Sequence, residues 1–194
     1  DFDLSSLRTG IMAGAPCPIE TMTQVNELMH MTEVEIAYGM TETSPVSFQT
    51  RVDSPLDKRV STVGAVHPHV EVKIIDADSG KICPVQEMGE LCARGYSVML
   101  GYWKNPEATA TAIDDKGWMH TGDAGYRDSE GFFYIVDRIK DLVITGGENV
   151  SSVEVENCIY QLDAVSECAV FGIPHEDWIE TVHAEVVTKP NSTI

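Results

Sequence analysis

The stretch Pro18 to Glu42, PIETMTQVNELMHMTEVEIAYGMTE, decides the fold class. Ile19, Met22, Val25 and Met29 recur at spacings of three and four behind a proline suited to a first helical turn, which predicts an amphipathic helix over Pro18 to Met31. Val34 to Tyr38 is short, β-rich and ends at Gly39, so it reads as a strand running into a loop. A helix feeding a strand whose tip opens into Gly39-Met40-Thr41-Glu42 is an α/β arrangement. In such sheets ligands gather at strand tips, where backbone groups are unpaired and side chains converge.

Outward from this stretch the period changes twice. From Arg59 to Tyr102 short runs alternate with turn signals: Val70, Val72 and Ile74 alternate with Glu71, Lys73 and Ile75, Asp78-Ser79-Gly80 makes a turn, and Gly89 to Arg94 is another strand. Asn105-Pro106-Glu107 supplies an N-cap, a first-turn proline and an acidic residue for a helix ending near Ile113. Strands near Ala124 to Arg127 and Phe132 to Asp137 flank the turn Asp128 to Gly131, completing a β-rich subdomain. Beyond Asp137, a strand at Leu142 to Ile144, a turn at Gly146-Gly147 and a capping box at Ser151 to Glu154 lead into a helix with Val155, Cys158, Ile159 and Leu162 on one face. Strands Val165 to Ile173 and Val182 to Thr188 follow. The expected organisation is residues 1–136 as the later part of a large α/β domain, 137–141 as a hinge, and 142–194 as the opening of a small α+β domain with βαββ order.

Charge narrows the function. The 194 residues carry 31 acidic and 13 basic side chains, a net charge of −18. That field repels phosphate backbones and anionic lipid, which excludes unaided nucleic-acid or membrane-surface binding and leaves any polyanionic ligand to locally placed groups. Apolar runs such as Phe132 to Val136 fall far short of the roughly 20 residues needed to span a bilayer. Five cysteines with no CxxC spacing suggest reduced thiols and a cytoplasmic setting. The chain opens at Asp1 and closes in a polar stretch after a strand, so it is expected to be a piece of a longer protein, and an oligomer is compatible with everything above.

Five runs offer chemistry, and each has a plainer reading. In Tyr38 to Glu42, Tyr38 offers a ring face to a base, Thr41 a hydroxyl to a phosphate, and Glu42 a hard oxygen to Mg²⁺; the run also reads as an ordinary polar loop. Ala13-Gly14-Ala15-Pro16 would let a flat ligand approach the backbone, or is simply a turn. Asp123, in Thr121-Gly122-Asp123 at an expected strand–loop junction, could accept two hydrogen bonds from a ribose diol, or bond its own backbone. Asp137 to Asp141 is a solvated linker or a hinge whose Arg138 reaches a nucleotide. Gly146-Gly147-Glu148 lines a channel or makes a hairpin turn, and it lacks the GxxxxGK[ST] pattern of a Walker loop. His67-Pro68-His69 reads as surface rather than metal site, and His120 is expected near the site, packing beneath a ribose.

Taken in order, these runs, with Gly89-Glu90-Leu91 to Gly95 and Gly101-Tyr102 between them, resemble the adenylate-forming superfamily of acyl-CoA synthetases, firefly-type luciferases and peptide-synthetase adenylation domains. The runs from Gly101 to Thr109 and from Gly146 to Val150 look most like the fatty and related carboxylic acyl-CoA synthetases. The resemblance implies an ATP-dependent ligase: a carboxylate attacks the α-phosphate of ATP to give an acyl-adenylate and pyrophosphate, and coenzyme A then displaces AMP. It implies that Gly14, Ala15 and Pro16 border the adenine and Tyr38 stacks on it, within a loop continuing through Gly39 and Met40. Thr41 would contact the α-phosphate, Glu42 hold Mg²⁺, Asp123 bind the ribose, Ile135 pack near the base, and Arg138 reach ribose or phosphate. Lys140 would sit at the hinge, and Gly146, Gly147 and Glu148 along the pantetheine path. The family's phosphate-gripping loop and its near-C-terminal lysine are expected upstream of Asp1 and beyond Ile194. Alternatives are an adenylation domain that loads a carrier protein, and a nucleotide-binding relative without catalysis.

Overall fold

A computed structural model describes residues 2–15, 17–190 and 192, with Glu20 described by its backbone alone. The chain divides into two compact units, residues 1–121 with 125–135, and residues 122–124 with 136–194.

The first unit opens with β1 (Thr9–Ala13), α1 (Ile19–Leu28), β2 (Glu33–Gly39), β3 (Val46–Gln49), α2 (Leu56–Ser61) and β4 (Ala65–Val66). The sheet runs β1-β2-β3-β4, with β1 and β2 parallel and the later pairs antiparallel. The parallel pair comes from the β1–α1–β2 crossover, which antiparallel hairpins do not need. β2 buries Val34 and Ile36 on one face, and the predicted helical spacing brings Met22 and Val25 of α1 down onto them. Leu56 and Val60 of α2 pack against the same cluster. β1 and α2 escape the sequence reading: β1 carries exposed residues at alternate positions, and α2 is only six residues long.

The other sheet runs β5-β6-β7-β8, made of β5 (Val70–Ile75), β6 (Gly89–Gly95), β7 (Met119–Arg127) and β8 (Phe133–Arg138). The short helix α3 (Pro106–Ala112) precedes β7, and the Asn105 side chain accepts from Ala108 N–H at 3.0 Å, the predicted cap. Phe48, Ile74, Cys83, Leu91 and Phe133 form the core between the two sheets of this unit. Val63 N–H donates to the Phe133 carbonyl at 2.9 Å and ties one sheet to the other.

Lys58 staples α2 to the β7–β8 turn. Its Nζ lies 2.8 Å from Asp128 Oδ2 and 2.8 Å from Glu130 Oε2, and Tyr134 Oη donates to the same Asp128 oxygen at 3.1 Å. Burial opposes ionisation of Asp128, yet Lys58, the Phe132 amide and the Tyr134 hydroxyl together draw the carboxyl down to about 2. A depressed carboxyl contributes stability that is present above its unfolded value and lost as the proton returns. The resistance of this unit to urea is therefore expected to fall as pH drops from about 4 towards about 2. Asp128→Asn should lack that acid limb, and an unchanged limb in the variant would refute the assignment.

The second unit contains β9 (Val143–Thr145), β10 (Glu148–Val150), α4 (Ser152–Ile159), β11 (Val165–His175) and β12 (Ile179–Thr188). Its sheet is antiparallel throughout, in the order β10-β9-β12-β11. The order is therefore ββαββ rather than the expected βαββ, because Glu148 to Val150 folds back on β9 as a strand of its own. α4 lies on β11: Glu156 Oε1 accepts from Val170 N–H at 2.9 Å, and Tyr160 Oη accepts from Cys168 N–H at 3.1 Å.

Candidate nucleotide site

In the first unit the site is built on the parallel pair. Ala13 of β1 stands beside Ala37 of β2, so Gly14-Ala15 and Tyr38-Gly39 leave adjacent strands at their carboxyl ends. Gly14 has φ +86°, and a Cβ added there would meet nothing within 4 Å. Its glycine thus serves backbone conformation rather than close packing. Pro16 lies outside the described residues. The Tyr38 ring is half-buried, packed edge-on to Phe48 at 5.7 Å between centroids. Ile135 packs against the same apolar cluster as Tyr38.

Gly39 is required sterically: a Cβ there would lie 1.7 Å from the Pro45 carbonyl oxygen. The chain then turns through a single 3₁₀ turn, Thr41–Thr43. Buried Thr43 closes it, its Oγ1 accepting from Met40 N–H at 3.2 Å and lying 3.0 Å from the Pro45 carbonyl. Thr41 is left exposed and Glu42 half-buried. Glu42 is held twice: its carbonyl accepts from Met99 N–H at 2.8 Å, and its Oε1 accepts from Tyr102 Oη at 2.9 Å. The hydrogen bond to this carboxylate pushes the Tyr102 phenol upward, keeping it a donor.

One expectation about the run around Asp123 needs correction. Thr121-Gly122-Asp123 is not a strand–loop junction: it lies inside β7, with Thr121 and Asp123 buried. Within the run Asp137 to Asp141, Asp137 and Arg138 are both engaged by other side chains. Arg138 Nε lies 2.9 Å from Asp123 Oδ1, so the two residues singled out separately for a nucleotide meet as an ion pair. The Arg138 side chain remains half exposed. Asp137 is buried, and its Oδ2 accepts from Ser151 Oγ at 3.0 Å, Ser152 Oγ at 2.9 Å and Ser152 N–H at 2.9 Å. Ser151 Oγ in turn accepts from Glu154 N–H at 3.2 Å, the predicted N-cap. The carboxylate thus anchors the start of α4 to the end of β8.

Lys140 is exposed in a 3₁₀ turn, its Nζ 3.7 Å from Asp141 Oδ1. Gly146 and Gly147, at φ +59° and +88°, form the two-residue turn between β9 and β10, the hairpin reading of that run. With Glu148 they are exposed at its tip.

Sequence reasoning singled out neither Tyr102 as a partner of Glu42 nor Asp137 as an anchor. Both depend on contacts across 60 and 15 residues of chain. His120 Nδ1 lies 2.8 Å from Glu90 Oε2 and 3.7 Å from Cys92 Sγ. Buried Thr121 donates to the Leu91 carbonyl at 2.8 Å, a structural bond between β6 and β7. His67 Nε2 sits 3.2 Å from Gln49 Oε1.

The carboxyl ends of the parallel strands thus carry, on two adjacent loops, an aromatic face, a hydroxyl and a buttressed carboxylate. Residues 1–103 match the family described as AMP-binding enzyme, and residues 154–194 match the AMP-binding enzyme C-terminal domain. The chain belongs to the AMP-binding enzyme family. Among its relatives is YngI of Bacillus subtilis, whose name assigns it provisionally to the acyl-CoA synthetases. It is 45% identical over all of this chain and 35% of its own length. A medium-chain acyl-CoA ligase of Bos taurus, ACSF2, named as mitochondrial, is 38% identical over 94% of this chain and 30% of its own. The solved structure of ATP-bound MatB from Rhodopseudomonas palustris superposes with a TM-score of 0.84 at 37% identity, covering 95% of this chain and 36% of that one. The chain spans about a third of the length of these relatives. Among the described residues, no helix is long and apolar enough to cross a membrane.

Proposed function

We propose that this chain is part of a carboxylate–CoA ligase, which activates a fatty or related carboxylic acid with ATP as an acyl-adenylate and passes the acyl group to coenzyme A. The observation that carries the reading is the Gly14 and Tyr38–Glu42 loop pair on adjacent parallel strands. The names of relatives that share about 40% of its residues support the acid–thiol chemistry.

In this reading Gly14, Ala15 and Pro16 border the adenine, Tyr38 offers it a ring face, and Gly39 and Met40 carry the loop to Thr41, whose exposed hydroxyl donates to the α-phosphate. Adenylation needs no nucleophilic side chain from the protein, because the substrate carboxylate is the nucleophile. Positioning and charge neutralisation dominate instead. Glu42 fits Mg²⁺: it is a hard oxygen donor whose carboxylate Tyr102 already orients. When bound, the ion neutralises charge on the phosphates. Asp123 accepts from the ribose hydroxyls and Arg138, its ion-pair partner, turns its exposed guanidinium to ribose or phosphate, while Ile135 supports the base-binding wall. Lys140 marks the hinge between residues 1–136 and 142–194, and Gly146, Gly147 and Glu148 line the pantetheine path. Five free cysteines fit a cytoplasmic setting, which fractionation would test.

The test is AMP release by the full-length protein over a panel of carboxylic acids with coenzyme A as acceptor. Acid-dependent release that requires coenzyme A is the expected result. Release that needs a carrier protein instead, or no acid-dependent release, would defeat the reading. The 194-residue chain alone is expected to give no carboxylate-dependent pyrophosphate exchange, because the resemblance puts the phosphate-gripping loop and the catalytic lysine outside it. Turnover by the isolated chain would overturn that expectation.

A further inference from the structure

Three side chains with different metal-binding atoms meet on the sheet of β5 to β8, and the proposed reaction uses none of them. Glu90 and Cys92 stand two apart on β6, so they share a face, and His120 stands on the neighbouring strand β7. His120 Nδ1 lies 2.8 Å from Glu90 Oε2 and 3.7 Å from Cys92 Sγ, and all three donor atoms lie within 4.8 Å of one another.

Both contacts fall on the same ring nitrogen. A relay from thiol through imidazole to carboxylate needs the two opposite nitrogens, one to take the thiol proton and one to donate to the carboxylate. A single Nδ1 holds one proton or one lone pair, so it cannot satisfy both neighbours in that way. A cation placed among the three atoms engages all of them at once.

We propose that Glu90, Cys92 and His120 form a binding site for one zinc ion. Sulfur, imidazole nitrogen and carboxylate oxygen together are a zinc donor set rather than a magnesium or calcium one. Tetrahedral bonds of the usual zinc lengths put such N and S atoms about 3.6 Å apart and N and O about 3.4 Å apart. The nitrogen–sulfur separation is already met, and the Glu90 carboxylate needs to withdraw by roughly half an ångström. Cys92 is fully buried, whereas the Glu90 and His120 side chains keep 14% and 30% of their exposure. The ion therefore enters from the His120 side, and water fills the fourth position there. As the zinc–sulfur bond forms the thiol proton leaves to solvent, and the imidazole proton resides on Nε2. Asp114 adds negative charge nearby, while Lys73, paired across from Cys92, opposes the ion. The Lys73 ammonium is drawn over the Trp118 ring, 4.5 Å from its centroid.

The test is titration of the full chain with Co²⁺ as a spectroscopic stand-in, followed by displacement with Zn²⁺. One equivalent of Co²⁺ should raise a thiolate-to-metal charge-transfer band, and one equivalent of Zn²⁺ should remove it. Cys92→Ser should abolish the band, and Glu90→Gln and His120→Asn should each weaken Zn²⁺ binding more than about tenfold. Exposed Cys158 provides the control: Cys158→Ser should change neither. Circular dichroism establishes that each variant is folded, and if Cys92→Ser is not, the two partly exposed positions decide. Absence of the band in the unmodified chain, or wild-type affinity in a folded Glu90→Gln or His120→Asn variant, overturns the proposal. The readout is metal binding, so its failure leaves the ligase reading untouched.

Discussion

Asp137→Ala should destabilise the second unit by about 3 kcal/mol, enough to lower its melting temperature by more than about 10 °C. The carboxylate is buried and accepts from two serine hydroxyls and from backbone amides at the start of α4. Truncation removes a charge-assisted acceptor and leaves Ser152 N–H and Val153 N–H facing an apolar gap, where unsatisfied donors cost about 1 to 3 kcal/mol each before relaxation. The position also has a helix N-terminus directed at it, where negative charge is favoured. Asp137→Asn keeps one acceptor oxygen and should cost about half as much. Thermal unfolding read at α4, with amide exchange at Ser152 and Val153 as the local probe, checks both. A change below about 1 kcal/mol for the alanine variant would show that water replaces the carboxylate and that the anchor is dispensable.

Glu42→Ala should lower acid-dependent AMP formation by the full-length protein at least about a hundredfold, with its folding unchanged. Glu42 is half-buried and projects from a turn whose shape is set by Thr43 and Gly39 rather than by Glu42 itself. Its removal therefore takes away the proposed Mg²⁺ ligand and little packing. Tyr102→Phe deletes only the hydroxyl that orients the carboxylate, and should cost about tenfold, recovered in part at higher Mg²⁺ concentration. A Mg²⁺ titration of the turnover rate in wild type and both variants separates the two roles. Glu42→Ala activity within a few-fold of wild type would remove Glu42 from the metal site and weaken the ligase reading with it.

The parts of this fold legible beforehand are those in which side-chain period alone carries the information. The 3.6-residue spacing from Ile19 to Met29 found α1, the alternation through Val70 to Ile74 found β5, and Asn105-Pro106-Glu107 found the cap of α3. β1 was not legible, because its neighbours in sequence are mostly exposed and its strand character comes from pairing with β2. The turn grammar of Thr121-Gly122-Asp123 misled for a related reason: Gly122, at φ +71°, punctuates a strand that pairing carries straight through it.

The same division runs through the site. The sequence alone determined the order of the motif residues, and hence the family, since each motif is a local run whose residue types and spacing survive without knowledge of what they face. It determined also that this strongly acidic chain must meet anionic ligands through a few placed groups. Only the tertiary structure decided which of those groups are partners: that Tyr102 holds Glu42, that Arg138 pairs with Asp123, that Asp137 belongs to the start of α4, and that Glu90 and Cys92 share the His120 nitrogen. The reason is physical. Period and capping act over a few residues of chain, whereas these bonds join groups 14 to 60 residues apart, brought within 3 to 4 Å by strand register and packing.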